Sequence, residues 1–182
     1  SDLPDGAEGV LSVKGPGVMK GYLGQPEATA RVLRDGWYWT GDIARIDTDG
    51  FIHVVGRVSR YSKVGGEMVP HMAVEERVLQ ALQTTEPVVV VTSVEDSQKG
   101  EQLVLFHTPV AGETGKLQEL VRQMDLPNIW KPKGENFFPV EEIPTLGSGK
   151  IDFRRLREMA EERILIRPGA FQRAVDRIKD IL

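Results

Sequence analysis

A lysine that follows two glycines near the end of the sequence is the first residue whose surroundings could support chemistry. The stretch Leu146–Ile151 reads LGSGKI and places Lys150 directly behind a glycine. A nucleotide-binding P-loop has the pattern G-x-x-x-x-G-K-[ST], in which backbone amides surround the phosphates and a hydroxyl holds Mg²⁺. Here Pro144 replaces the first glycine and Ile151 replaces the hydroxyl residue. The stretch is therefore not a P-loop, and by itself it indicates a turn before a helix with a solvated lysine.

A Thr-Gly-Asp triplet is the second candidate for chemistry. Thr40, Gly41 and Asp42 precede an apolar strand pattern, and Arg57 follows further along. An ionised carboxylate can accept hydrogen bonds from both hydroxyls of a ribose, and each such bond contributes about 1.5–3 kcal/mol. An arginine side chain offers a fixed fork of donors to a ribose or phosphate oxygen. Asp42 and Arg57 can therefore supply an acceptor for hydroxyls and donors for an anionic oxygen; the alternative is a turn aspartate and a surface arginine.

The predicted secondary structure that must position these residues changes near residues 56–61. The first part reads as strands and turns, with a hairpin at Asp49-Gly50 and one helix over Pro26–Leu33. The second part alternates helices and strands. Its predicted elements are a helix from near Pro70, strands in PVVVVTS and QLVLFHT, a helix over Lys116–Met124, a strand in ENFFPV and a helix that Asp152 can cap.

Composition excludes several classes of function. The 182 residues suffice for one domain or two small ones, and 40% hydrophobic with 27% charged residues is typical of globular proteins. A net charge of -4 offers no basic surface to nucleic acid, so we expect no nucleic-acid partner. The sequence has no cysteine, and its three histidines have no metal-ligand spacing. No run reaches the roughly 18 apolar residues of a membrane span, and we expect a cytoplasmic localisation for this chain.

Four segments, in order, resemble the adenylate-forming superfamily of acyl-CoA and acyl-carrier-protein synthetases, luciferases and peptide synthetase adenylation domains. They are GVLSVKGPGVMKGYL, DGWYWTGDIARIDTDGFIHVVGR, KVGGEMVPHMAVEE and IPTLGSGKID. The resemblance implies an α+β fold in three parts. Residues 1–58 would be the β-rich end of the large AMP-binding domain, residues 59–165 a small, mobile α/β domain with a three-stranded sheet and helices, and residues 166–182 a helical extension.

The same resemblance implies roles for the candidate residues. Thr40, Asp42 and Arg57 would bind the nucleotide. Lys150 would be catalytic, because the corresponding lysine of the superfamily lies on a turn of the mobile domain and enters the active site in one domain orientation. There its ammonium group would bridge the attacking carboxylate and the phosphate oxygens while negative charge gathers at the α-phosphorus.

A hinge and a thiol tunnel are also implied by the resemblance. Ser59 would be the hinge, since a small residue can absorb a large change in backbone dihedrals. After rotation, Gly65, Gly66 and Glu67 would line the path of a pantetheine arm, with a plain glycine turn before a helix as the alternative. Met68 stands where several acyl-CoA synthetases carry a basic residue, which favours the thiol of an acyl carrier protein over CoA.

Within the superfamily, three stretches resemble the synthetase part of bifunctional acyl-ACP synthetase and 2-acylglycerophosphoethanolamine acyltransferases: GEMVPHMAVEE, DSQKGEQLVLF and LGSGKIDF. The implied activity uses ATP and Mg²⁺ to convert a fatty acid, or another carboxylate, to an acyl-adenylate. The acyl group then passes to acyl carrier protein, or to CoA, and feeds lysophospholipid acylation. A fatty acyl-CoA or aryl-CoA ligase and a non-catalytic module that docks a carrier protein are the alternatives.

The resemblance covers only the C-terminal part of such an enzyme. The phosphate loop, the acyl pocket and most Mg²⁺ ligands would precede Ser1. We therefore expect this chain to be a fragment that is inactive in isolation, and the full-length protein to associate with the inner membrane.

Overall fold

The structure, a computed structural model, describes residues 3–166 of the chain. The chain forms two compact units, and the boundary between them lies between Arg60 and Tyr61. The sequence predicted this boundary after residue 58. Each unit has its own sheet. The predicted helical extension lies, apart from Ile166, outside the described residues.

The first unit is built on a four-stranded antiparallel sheet. Its long central strand pairs along one edge with the first strand, and along the other edge with a two-residue strand and with the last strand. A single helix precedes the two-residue strand. In chain order the elements are β1 (Gly9–Val13), α1 (Pro26–Val32), β2 (Leu33–Arg34), β3 (Trp37–Ile46) and β4 (Ile52–Arg57).

The predicted hairpin and helix of this unit are confirmed. Between β3 and β4, the carboxylate of Asp47 accepts hydrogen bonds from the backbone amides of Asp49 and Phe51 at 3.1 and 2.9 Å. Gly50 follows with a φ of 84°, a conformation that glycine adopts at no steric cost. Helix α1 has Pro26 in its first turn and ends one residue earlier than predicted, because β2 begins there.

The second unit combines a five-stranded sheet with three α-helices among the described residues. Its longest strands form an antiparallel hairpin, and a short strand joins that hairpin in parallel. In chain order the elements are β5 (Tyr61–Val64), β6 (Glu67–Pro70), α2 (His71–Ala81), β7 (Val89–Asp96), β8 (Gly100–His107), α3 (Thr114–Gln123), β9 (Phe137–Pro139) and α4 (Phe153–Leu165).

Helices bury both faces of the β7–β8 hairpin. On one face Val89 and Val91 pack in a core with residues of α2 and α3, and on the other Val90 and Phe106 pack with Leu156 of α4. This two-sided burial explains why β7 reads as a continuous apolar run. Among residues 3–166, no helix has the length and apolar character that a membrane crossing requires.

The sheet of the second unit has five strands where three were expected. The predicted strands are β7, β8 and β9, and the stretch KVGGEMV, for which no strand was predicted, adds β5 and β6 as a hairpin. Gly65 and Gly66 have φ values of 60° and 93°, and a two-residue hairpin turn with positive φ at both central positions matches the twist of the strands. The hairpin joins β8 through the pair Val64–Gly100.

Helix α4 begins as the sequence predicted. The side chain of Asp152 accepts a hydrogen bond from the backbone amide of Arg155 at 2.9 Å, which caps the helix. Because the cap directly follows the LGSGKI stretch, it also fixes the chain direction just after Lys150.

Candidate nucleotide-binding and catalytic site

Thr40, Gly41 and Asp42 form a bulge in β3. The register between β3 and β1 shifts at this point, and Gly41 has a φ of 78°, which residues with a Cβ rarely adopt. The Thr40 hydroxyl donates to the carbonyl oxygen of Leu11 and accepts from the backbone amide of Asp42, both at 3.0 Å. Because bulges redirect side chains, this fixed bulge determines where the Asp42 carboxylate points.

Asp42 and Arg57 lie directly opposite each other on β3 and β4. Arg57 donates from Nε to Oδ1 of Asp42 at 2.7 Å, and the two side chains are 67% and 22% exposed, respectively. Within residues 3–166, no group donates to Oδ2 of Asp42 or accepts from the two terminal nitrogens of Arg57. The pair can therefore accept a hydroxyl at the carboxylate and donate to an anionic oxygen at the guanidinium at the same time.

Tyr38 is a neighbour of this pair that was not predicted from the sequence. A hydrogen bond with Tyr22 and, less strongly, the negative charge of Asp42 raise the pKa of Tyr38 above its ordinary value. The Tyr38 phenol therefore stays protonated at neutral pH. The alternation of side chains along a strand could have indicated Tyr38 from the sequence, because it places Tyr38 and Thr40 on the same face of β3.

Lys150 directly follows a three-residue hairpin loop. The amide of Leu146 donates to the carbonyl oxygen of Lys150 at 2.7 Å, the amide of Gly149 donates back to Leu146 at 2.8 Å, and Thr145 pairs with Ile151. Gly149 has a φ of 79°, as the last position of such a loop requires. The Lys150 side chain is exposed and forms no ion pair with any residue between 3 and 166. The backbone of Lys150 is thus held by hydrogen bonds, while its ammonium group has no ion-pair partner among residues 3–166.

The proposed hinge and thiol residues occupy two exposed turns. Ser59 lies in the 3-10 turn Val58–Arg60, directly before the boundary between the units. Gly65 and Gly66 form the tip of the β5–β6 hairpin, followed by Glu67, and a Cβ at either glycine would meet no atom within 4 Å. The turn's backbone conformation therefore explains both glycines, and their role in admitting a pantetheine arm stays a prediction.

The structure brings together only part of the predicted site. Thr40, Asp42 and Arg57 form one hydrogen-bonded group in the first unit. Lys150 and the Gly65–Glu67 turn belong to the second unit, on separate loops. The functional roles of all these residues stay predictions.

The described residues provide no evident metal site. Between residues 3 and 166, no group of three or more His, Asp or Glu side chains is arranged to hold a metal ion. The histidines instead contact side chains nearby: His53 contacts Asp47 at 2.6 Å, His71 contacts Ser62 at 2.5 Å, and His107 contacts Thr114 at 3.0 Å. None of the described residues is therefore assigned to the Mg²⁺ that the resemblance implies.

Two curated relatives are acid–CoA ligases. Over 151 residues the chain is 40% identical to a feruloyl-CoA synthase of Amycolatopsis sp, a match that covers 82% of this chain and 30% of that protein. Over 156 residues it is 37% identical to a long-chain-fatty-acid–CoA ligase of Bacillus subtilis (strain 168), covering 85% and 27%. The chain thus spans about 30% or less of the length of these relatives. No protein-family model matches the chain.

Solved structures agree with these relatives on the superfamily. The o-succinylbenzoate CoA synthetase MenE of Bacillus subtilis, in complex with its acyl-adenylate intermediate, superposes with a TM-score of 0.63 at 27% identity, covering 85% of this chain and 31% of that one. This chain belongs to the adenylate-forming superfamily. Other adenylate-forming structures that match it contain ATP. The α+β fold expected for a member of the superfamily is confirmed. The finer resemblance to bifunctional acyl-ACP synthetases stays a prediction.

Proposed function

We propose that this chain is the C-terminal part of an ATP-dependent acid–thiol ligase. In the first half-reaction a carboxylate oxygen attacks the α-phosphorus of ATP, and pyrophosphate leaves. In the second, a thiolate attacks the acyl carbon of the adenylate, and AMP leaves. The observation that carries the proposal is the Asp42–Arg57 pair at a fixed strand bulge, which presents an acceptor for hydroxyls beside donors for an anionic oxygen. Similarity to CoA ligases supports the same reaction class.

Each predicted residue then has a distinct task. Asp42 accepts hydrogen bonds from the ribose hydroxyls, and Arg57 donates to a ribose or phosphate oxygen. Lys150 supplies positive charge where negative charge develops at the α-phosphorus, and it leaves the site before the thiol enters. Mg²⁺, when bound, would neutralise charge on the phosphates. Intact Asp42, Arg57 and Lys150 argue against a non-catalytic module that only docks a carrier protein.

The carboxylate substrate is proposed to be a fatty acid, with an aryl acid as the alternative. One curated relative is named for a long-chain fatty acid and the other for ferulate, an aryl acid. Both classes therefore belong in the test of function.

The thiol acceptor is proposed to be a pantetheine arm, carried by CoA or by acyl carrier protein. Met68 favoured the carrier protein because several acyl-CoA synthetases carry a basic residue at the corresponding position. The exposed Lys63, however, lies directly opposite Met68 in the β5–β6 hairpin and supplies a positive charge there. Together with the CoA ligases among the relatives, this makes CoA the first acceptor to test. Transfer to acyl carrier protein, lysophospholipid acylation and inner-membrane association form the finer alternative.

Exchange of labelled pyrophosphate into ATP tests the adenylation step. We expect the full-length protein that contains this chain to catalyse exchange with a fatty or an aryl carboxylate. The 182-residue chain alone should stay at background, because it spans only about 30% of its relatives. No exchange by the full-length protein with either class would refute the ligase proposal. Exchange by the isolated chain would show that it is complete for adenylation.

Arg57→Lys should raise the KM for ATP of the full-length ligase about tenfold. The lysine keeps the positive charge but loses the planar fork, so it cannot contact both Asp42 and a ligand oxygen, and one charge-assisted hydrogen bond accounts for about a tenfold change or more. Arg45→Lys is the matched control, because Arg45 is an exposed arginine of β3 with no ion pair among residues 3–166. An equal effect of both variants, or no effect of Arg57→Lys, would contradict the assigned role.

A further inference from the structure

The β5–β6 hairpin packs Val64 and Val69 in the core that β7 and β8 share, but few backbone hydrogen bonds join the two hairpins. The strands β5 and β8 pair only at Val64 and Gly100. The amide of Gly65 donates to the carbonyl oxygen of Lys99 at 2.8 Å. Beyond this point the backbone ladder stops, and the amide of Lys63 donates instead to Oε2 of Glu101 at 2.7 Å. A side chain thus takes over where the backbone pairing ends.

The carboxylate of Glu101 has a second partner on a third strand. Its Oε1 accepts a hydrogen bond from the hydroxyl of Ser93 on β7 at 2.6 Å, and Ser93 is only 4% exposed. One side chain on β8 therefore joins β5 to β7. Because Ser93 is buried in the packed β7–β8 hairpin, it anchors the carboxylate, and the carboxylate in turn holds the more exposed hairpin.

The two hairpins also approach closely at their backbones. Gly100 has a φ of 80°, and a Cβ at this position would lie 3.2 Å from the carbonyl oxygen of Lys63. Any residue larger than glycine would push β5 away from β8. The Gly65–Gly66 tip therefore lies beside a close backbone approach and the hydrogen bond from Lys63 to Glu101, while Val64 and Val69 anchor its two strands in the core.

Strand pairing alone does not account for this glutamate. Glu101 lies directly opposite Glu95, and like charges in that position destabilise a sheet. Glu95 is exposed, and its carboxylate has no hydrogen bond or ion pair with residues 3–166. The two carboxylates share a cleft of about 440 Å³ with Lys63, Lys99 and Arg157. Glu101 thus forms two hydrogen bonds despite an unfavourable neighbour.

We propose that Glu101 is a positioning residue for the second half-reaction. It holds the hairpin tip at Gly65, Gly66 and Glu67 in the orientation that admits the pantetheine thiol. The inference rests on the proposed function, because it assumes that this tip faces the thiol. Adenylation does not use the tip and should not depend on Glu101.

The two available substitutions separate a hydrogen-bonding role from a role of the charge. In Glu101→Gln the amide oxygen can accept from the Lys63 amide, while the amide nitrogen donates to the Ser93 hydroxyl, which can accept as well as donate. Both bonds can therefore persist without the charge. In Glu101→Ala both bonds are lost.

The kinetic test measures both half-reactions in the full-length ligase. Glu101→Ala should slow acyl transfer from supplied acyl-adenylate to CoA about tenfold, or raise the KM for CoA to that extent, with pyrophosphate exchange within about twofold of wild type. Glu101→Gln should remain close to wild type in both. Glu95→Ala is the matched control, since it removes a carboxylate from the same cleft without removing either hydrogen bond, and it should also resemble wild type.

Hydrogen exchange over residues 61–70 supplies a readout that needs no catalysis. The Lys63 amide should exchange faster in Glu101→Ala than in wild type, Glu101→Gln or Glu95→Ala. A wild-type protein that ligates nothing but shows this exchange pattern would refute the proposed function and leave the structural contact intact. Three results would overturn the positioning role: equal loss in Glu101→Gln and Glu101→Ala, no loss in either, or parallel loss of both half-reactions with a lowered melting temperature.

Discussion

Replacing Lys150 by alanine should lower the adenylation rate of the full-length ligase by about a hundredfold or more. The ammonium group would be placed where charge develops at the α-phosphorus, and removing such a preorganised charge from a site without water typically costs on the order of a hundredfold in rate. Acyl transfer from supplied acyl-adenylate to the thiol should stay within about twofold of wild type, because the lysine has left the site by then. Pyrophosphate exchange and single-turnover thioester formation measure the two steps.

The fold should tolerate this substitution. Lys150 is exposed, has no ion pair with residues 3–166, and its backbone is held by the hydrogen bond from Leu146. The melting temperature of Lys150→Ala should therefore match that of wild type. Lys116→Ala is the matched control, because Lys116 is an exposed lysine of the same unit whose one ion pair among residues 3–166 is with exposed Glu113. Equal loss of both half-reactions in Lys150→Ala would show that the lysine serves both steps or has a structural role.

Local signals made most elements of this fold predictable. Pro26 begins α1, Asp152 caps α4, and the Asp49-Gly50 pair turns the β3–β4 hairpin, each as the sequence indicated. Each signal works over a few residues, because capping and turn formation depend on bonds between near neighbours. The helix near Pro70 and the strand in PVVVVTS were predicted as well, because hydrophobic periodicity is also a local pattern.

Features that depend on contacts between distant segments were missed. The five-stranded sheet needs the pairing of Val64 with Gly100, and no pattern within KVGGEMV indicates where that hairpin attaches. The residues of the candidate nucleotide site were predicted from their motifs, but their geometry was not. Asp42 faces Arg57 because the register of β3 and β4 shifts at Ala44, and a shift of one residue moves every side chain to the other face.

Replacing Ser59 by proline should slow acyl transfer to the thiol more than it slows adenylation. Proline holds φ near about -65°, which a 3-10 turn accepts, and it also restricts the backbone of the preceding Val58. Both residues lie in the turn directly before the boundary between the units. If the units rotate about this turn between half-reactions, an orientation that needs other dihedrals here becomes less populated, at a cost of about 1–3 kcal/mol, or roughly fivefold to 150-fold in rate.

The thioester step is expected to suffer more because, on the proposed mechanism, it would require the rotation, whereas adenylation would require only the orientation that brings Lys150 to the nucleotide. Thr48→Pro is the matched control, since Thr48 lies in the exposed β3–β4 turn of the first unit, where proline suits the second turn position. Thr48→Pro should leave both half-reactions unchanged, which separates hinge restraint from a general effect of proline. Melting temperatures of both variants must accompany the rates, because partial unfolding would lower both steps together. Wild-type rates in Ser59→Pro would place the pivot elsewhere. A loss of both steps in proportion to lost stability would mean that residue 59 stabilises the fold and is not a hinge between the units.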